Sequence, residues 1–223
     1  MTENKKNIDA LHKLCVLNKR DVYAGCLERF SNNLGEIENN PFLGYVGKNY
    51  FTKSNKICFV GKAGGESRFL TVTDTLMNDK FVEFKESSEI DRISSFYEYQ
   101  NVICQHIQTW NVFRIPDYLN SQIDQNVDDI AYVNIVPFRY KGAPTKSVYR
   151  VAWSVFTNKV FEVLKPDYVV PLGKILHEEV RLNYSGDGEV TDGITRTNGD
   201  TYLHNEAIEQ MTVLAQKILK NKR

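Results

Sequence analysis

Gly61, Ala63, Gly64 and Gly65 follow directly on the apolar run Ile57-Cys58-Phe59-Val60. Such a run ending in glycines predicts a buried strand that meets a tight loop. Glycines let the backbone turn sharply and approach a ligand closely. In an open parallel sheet, ligands sit beyond the carboxyl ends of the strands, so residues 61–69 form a candidate binding loop. The spacing matches neither a Walker loop nor GxGxxG. Two further segments of the same kind end in polar residues: Asn134 before Ile135-Val136-Pro137, and Asn198-Gly199-Asp200. Glu66 and Asp200 are the acids beside these loops. Lys62, Arg68, Arg139, Lys141, Lys146, Arg150 and Arg196 fall on or next to them. His12, His106, His177 and His204 do not cluster by spacing, and only His204 lies a few residues past one of the loops. Cys15, Cys26, Cys58 and Cys104 form no CxxC pair. No metal site is expected from these spacings.

The elements that must hold these loops follow from periodicity. Strands are expected at 57–61, 130–136, 168–172 and 194–197. Helical stripes cover parts of 7–30, then 89–110, 147–164, 174–182 and 205–220. Residues 31–50 read as a loop, 71–88 as part helix and part loop, and a turn is expected before Pro116. Residues 185–193 read as a turn-rich excursion. Strands alternating with helices specify an α/β fold: a three-layer α/β/α domain with a central four-stranded, mostly parallel sheet. The 223 residues suit one domain of this kind, with 1–50 packed on it as a helical and loop region. No apolar run approaches membrane-spanning length, and the polar start MTENKKNIDA lacks a signal-peptide core. A cytoplasmic location with reduced thiols is therefore expected. Lys plus Arg and Asp plus Glu are both 28, so any basic surface must be local.

The order of the segments resembles the uracil-DNA glycosylase superfamily. The residues that carry the resemblance are Gly61-Lys62-Ala63-Gly64-Gly65, Asn134-Ile135-Val136-Pro137-Phe138, Leu164-Lys165-Pro166, Val169-Val170-Pro171-Leu172-Gly173-Lys174 and Asn198-Gly199-Asp200. It spans about residues 56–216, and 130–174 is the most specific part. The nearest branch carries an iron–sulfur cluster in its thermophilic members. Its cluster cysteines do not occur after Pro137 or in 151–153 here, so the resemblance implies that fold without the cluster and without another cofactor. Lys62 and Ala63 stand where the family's branches place Glu, Asp or Asn. Asn198 replaces the usual His, and Gly199-Asp200 replaces Pro-Ser.

The resemblance implies a monomeric DNA glycosylase that hydrolyses the base–sugar bond of uracil or a modified pyrimidine and leaves an abasic site, in repair or in defence against modified viral DNA. That chemistry needs a flipped base, donors for the leaving base and an acid or held water near the sugar. Asn134, Phe69 and the backbone of Ala63 and Gly64 are the candidate base contacts. Glu66, Asp200 and Asn198 are the candidate catalytic residues. Lys62, Arg68, Arg139 and Lys141 are the candidate DNA-phosphate contacts, and Tyr140 is a candidate stacking ring. The alternatives are a catalytically silent nucleic-acid or nucleotide binding module on the same fold and, further off, a nucleotide-using enzyme with a flavodoxin-like sheet.

Overall fold

The computed structural model describes residues 2–24, 26, 30, 34, 40–64, 71–195 and 203–221. The fold is α/β, with a five-stranded sheet in the order β1-β3-β2-β4-β5. The strands are β1 (Tyr45–Val46), β2 (Ile57–Gly61), β3 (Ile130–Asn134), β4 (Tyr168–Pro171) and β5 (Glu189–Val190). β2 pairs parallel with β4 in the register Ile57↔Tyr168 to Val60↔Pro171, and β4 pairs parallel with β5. All residues of β2, β3 and β4 are buried. This accounts for their continuous apolar runs, because a parallel sheet covered on both faces has no solvent side to alternate with.

The strand expectations need three corrections. The sheet has five strands rather than four, because β1 lies in a segment read as a loop. β3 stops at Asn134 rather than 136. The described residues 191–195 form no strand, residues 196–197 of the expected 194–197 strand lie outside the described residues, and the last described strand is β5, inside the segment read as an excursion. The backbone still follows β4 after Val190, for Thr191 N–H donates to Val169 O (2.9 Å) and Ile194 N–H to Pro171 O (2.9 Å). It does so without a continuous ladder.

The α-helices among the described residues are α1 (Glu3–His12), α2 (Lys19–Val22), α3 (Val72–Glu86), α4 (Arg92–Ile107), α5 (Arg114–Gln122), α6 (Lys146–Ala152), α7 (Asn158–Leu164), α8 (Lys174–Asn183) and α9 (Asn205–Asn221). α3 is a full helix where the sequence left an ambiguity. Thr71 caps it by accepting from Asp74 N–H, while the Asp74 carboxylate accepts from Thr71 N–H. That reciprocal box satisfies two otherwise orphaned donors. The turn expected before Pro116 is present at 108–113, and α5, which was not expected, follows it: Pro116 sits in the first turn of α5, where an amide N–H would have no helical partner anyway. A π-helical turn, Trp153–Thr157, joins α6 to α7. Lys165, at φ 44°, takes the left-handed conformation just past α7 and ends it before Pro166.

The chain divides into two compact units. The first comprises residues 1–45, 62–103 and 133–164. Its core includes Ile8, Leu11, Phe84, Phe96 and Phe161, all at most 3% exposed. Arg92 bonds Asp9 at 2.7 Å, which ties α4 to α1. The second comprises residues 46–61, 104–132 and 165–223. There α5 packs on α9, and Tyr118 and Thr212 share a hydroxyl contact at 3.4 Å. Asp129 accepts from Asn49 Nδ2 and from Lys53 Nζ, both at 3.0 Å. Asp167 accepts from Lys56 N–H at 2.7 Å.

Candidate functional site

The candidate site lies in the first unit, where two strand-end segments run side by side. Lys62 O, one residue past β2, accepts from Val136 N–H at 2.9 Å. Gly64 O accepts from Tyr140 N–H at 3.0 Å. These two bonds pin residues 62–64 along residues 136–140. Pro137 O in turn accepts from Phe42 N–H at 2.7 Å. The wide π-turn brings in one more support: Thr157 Oγ1, 1% exposed, donates to Ile135 O at 2.6 Å. A Cβ added at Gly64 would meet Arg139 Cγ at 3.4 Å, an ordinary contact. Packing against the described residues therefore does not demand glycine at Gly64.

Asn134 ends β3 among these supports and is 5% exposed, yet its Oδ1 has no hydrogen-bond partner. An orphaned buried carbonyl costs on the order of 1–3 kcal/mol, and buried polar groups are nearly always satisfied. A group that carries this cost at the carboxyl end of a rigid strand is a candidate for contact with a ligand.

Of the residues expected at the site, Lys62, Ala63, Gly64, Asn134, Arg139 and Lys141 belong to this one unit. Lys62, Ala63 and Gly64 are half-buried, and Lys141 is exposed, as are Lys146 and Arg150 on α6. Glu66, Arg68, Phe69, Arg196, Asn198 and Asp200 lie outside the described residues. Arg139, expected at a phosphate, has a side chain only 16% exposed, and its Nη2 donates to Asp74 Oδ1. Tyr140, expected to stack or wedge, is 4% exposed, and burial raises the pKa of its hydroxyl. It belongs to the packing under the loop. His204 is half-buried with Nε2 unpartnered, and it lies in the second unit.

Asp74 was not expected at the site. It is 2% exposed and serves both the α3 cap and the Arg139 guanidinium. The Thr71-x-x-Asp74 spacing signals the cap, but nothing local signals the arginine. Among the described residues, no group of three or more His, Cys, Asp or Glu side chains is placed to hold a metal ion. No described helix is long and apolar enough to cross a membrane. No protein-family model matches the sequence, and no curated protein matches it.

Proposed function

We propose that the chain is a DNA glycosylase on a three-layer fold of the uracil-DNA glycosylase type, acting on uracil or a modified pyrimidine in repair or in defence against modified viral DNA. The observation that carries this reading is Asn134: a buried amide with an unpartnered Oδ1, fixed at a strand end and flanked by the pinned 62–64 segment. An amide presents both a donor and an acceptor, which is what the edge of a pyrimidine requires. In the proposed reaction the C1′–N bond breaks and its electron pair leaves with the base. The base leaves as an anion stabilised by hydrogen bonds from the Ala63–Gly64 backbone N–H groups and Asn198, and takes up a proton from solvent. Water adds to C1′ and loses its proton to a carboxylate, either Glu66 or Asp200. Phe69 stacks on the flipped base, while Lys62, Arg68 and Lys141 hold phosphates.

The test uses oligonucleotides containing uracil, hypoxanthine, or hydroxymethylated or glucosylated cytosine, incubated with the chain and then treated with alkali. Scission with one of them, lost by roughly a hundredfold or more in Asn134→Ala, supports the reading. No scission with any, or equal scission by Asn134→Ala, removes it. Asp74, the described carboxylate bonded to this loop, is already engaged by Arg139 and the Thr71 cap. This favours, as second reading, a binding module without catalysis, which would hold the same DNA tightly and cut none of it.

A further inference from the structure

Thr75, Ser94, Ser121, Ser154 and Thr212 each donate a hydroxyl to the carbonyl three or four residues earlier. That local bond is the one such side chains favour on a helix. Thr157 instead donates from Oγ1 to Ile135 O, 22 residues away, at 2.6 Å, and the residue is 1% exposed. The wide register of the π-turn accompanies this departure. Trp153 O, four residues back from Thr157, accepts from Asn158 N–H.

We propose that Thr157 is a positioning residue for Asn134. Ile135 C=O and Val136 N–H are the two polar ends of one planar peptide group. Thr157 Oγ1 holds the first, and Lys62 O holds the second at 2.9 Å. A planar group bonded at both ends cannot turn about its axis without giving up a bond. This peptide begins one residue past Asn134 and carries the chain from β3 into residues 136–140. The hydroxyl therefore sets the direction in which β3 ends, and with it the angle between the Asn134 amide and residues 62–64. A hydrogen bond to a ligand tolerates little misplacement, so Thr157 acts on the ligand through Asn134 without touching it. The use of this placement rests on the proposed role of Asn134 as a ligand contact, whereas the placement itself is read without any ligand.

The chain is labelled with nitrogen-15, and the Asn134 side-chain amide signal is assigned by its loss in Asn134→Ala. Thr157→Val removes the donor at nearly constant volume, and Thr157→Ser keeps it. In Thr157→Val the Asn134 amide signal is expected to move and the Val136 N–H to exchange about tenfold faster, the worth of one hydrogen bond. Thr157→Ser is expected to keep both at their wild-type values. On whichever uracil or modified-cytosine oligonucleotide the chain cuts, kcat/KM should fall about tenfold in Thr157→Val and stay near wild type in Thr157→Ser. If the wild type cuts none, the proposed function falls and the amide signal alone decides the role of Thr157. An unmoved Asn134 signal in Thr157→Val, with or without a lower melting temperature, makes Thr157 merely structural and overturns the proposal. So does a signal that moves equally in Thr157→Ser, or an unchanged kcat/KM in Thr157→Val. Should Thr157→Val fail to fold, Thr157→Ala, which sets no methyl against Ile135 O, is read in the same way.

Discussion

Arg139 reaches back from the loop after β3 to Asp74 in the first turn of α3, 65 residues away in sequence. The Asp74 carboxylate is 2% exposed and also accepts from Thr71 N–H and Oγ1. Removing one member of a buried pair strands the other charge. Arg139→Ala is therefore expected to lose on the order of 3 kcal/mol of stability. Arg139→Ala combined with Asp74→Asn should lose less than the single change predicts, because no charge is stranded. Urea titrations of wild type, both single variants and the double variant measure this coupling. Additive losses would show that the two side chains do not depend on one another.

Asn134 should behave in the opposite way. Its Oδ1 is buried without a partner, so Asn134→Ala removes an unsatisfied group at the expense of a small cavity. The two effects offset, and the change in stability is expected to stay within about 1 kcal/mol. A residue whose loss spares the fold but removes activity marks a site where function outranks stability. A large drop in melting temperature for Asn134→Ala would assign the amide a structural role.

Gly47 has no room for a side chain. A Cβ there would lie 2.2 Å from Asp128 O and 2.4 Å from Asp128 C, both backbone atoms. The approach exists because Gly47 N–H donates to Ile130 O and Asn49 N–H to Asp128 O, both at 2.9 Å. Gly47→Ala must push this segment off the start of β3, at an expected cost of about 3 kcal/mol or more. Thermal unfolding of the variant checks it, and a wild-type melting temperature would rule the close approach out.

His12 provides a pH signature of folding. Burial lowers its pKa below the usual 6.5, and the nearby Arg92 charge acts in the same direction. The ring lies against Phe84 and hydrogen-bonds Lys85 O at 3.0 Å. In the unfolded chain the imidazole takes up a proton near pH 6.5, while the folded chain resists it, so the unfolded state binds more protons in that window. Stability should therefore fall as pH drops below about 6.5, until the lower folded pKa is passed. His12→Gln keeps a hydrogen-bond donor without the titration and should flatten that part of the stability–pH curve. Equal slopes for both proteins would show that His12 titrates alike in both states.

The burial differences in reactivity of the thiols follow from the same logic. Burial pushes Cys15 up to about 12 and raises Cys58 as well, whereas Cys26 and Cys104 are half-buried. A thiol reagent at neutral pH should modify Cys26 and Cys104 in the native protein, and Cys15 and Cys58 only after unfolding. Rapid native labelling of Cys58 would contradict its place in β2.

β2, β3 and β4 were legible because full burial writes an uninterrupted apolar run into the sequence. β1 and β5 were not, since a strand of two residues leaves no pattern and exists only through its neighbour. α5 was hidden by Pro116, whose usual effect is to break helices but which is harmless in a first turn. Asn134 was legible from its position at the end of an apolar run, although nothing local revealed that its carbonyl goes unpaired. The Asp74–Arg139 pair and the Thr157–Ile135 bond join residues far apart in sequence, and such contacts leave no periodic trace. Tyr140 looked available because it stands among cations, yet its neighbours in space bury it.

The wide turn at Trp153–Thr157 also fixes the rotational phase of the chain. Val148, Ala152, Phe156, Val160 and Leu164 are all buried and recur at every fourth residue. In a regular helix each such step drifts about 40° around the axis, so five residues would wind through about 160° and leave the core. The extra residue of the π-turn absorbs most of that drift and keeps the stripe on one side. Deleting one residue between 153 and 156 would therefore let the segment close as a regular α-helix with both flanks in phase, whereas inserting one residue there would rotate one flank against the other by about 100°. Leu164 would swing off the core, and the hydroxyl that holds Ile135 would go with it. The helix works as a gear with one added tooth, and the loop that presents Asn134 is timed by it.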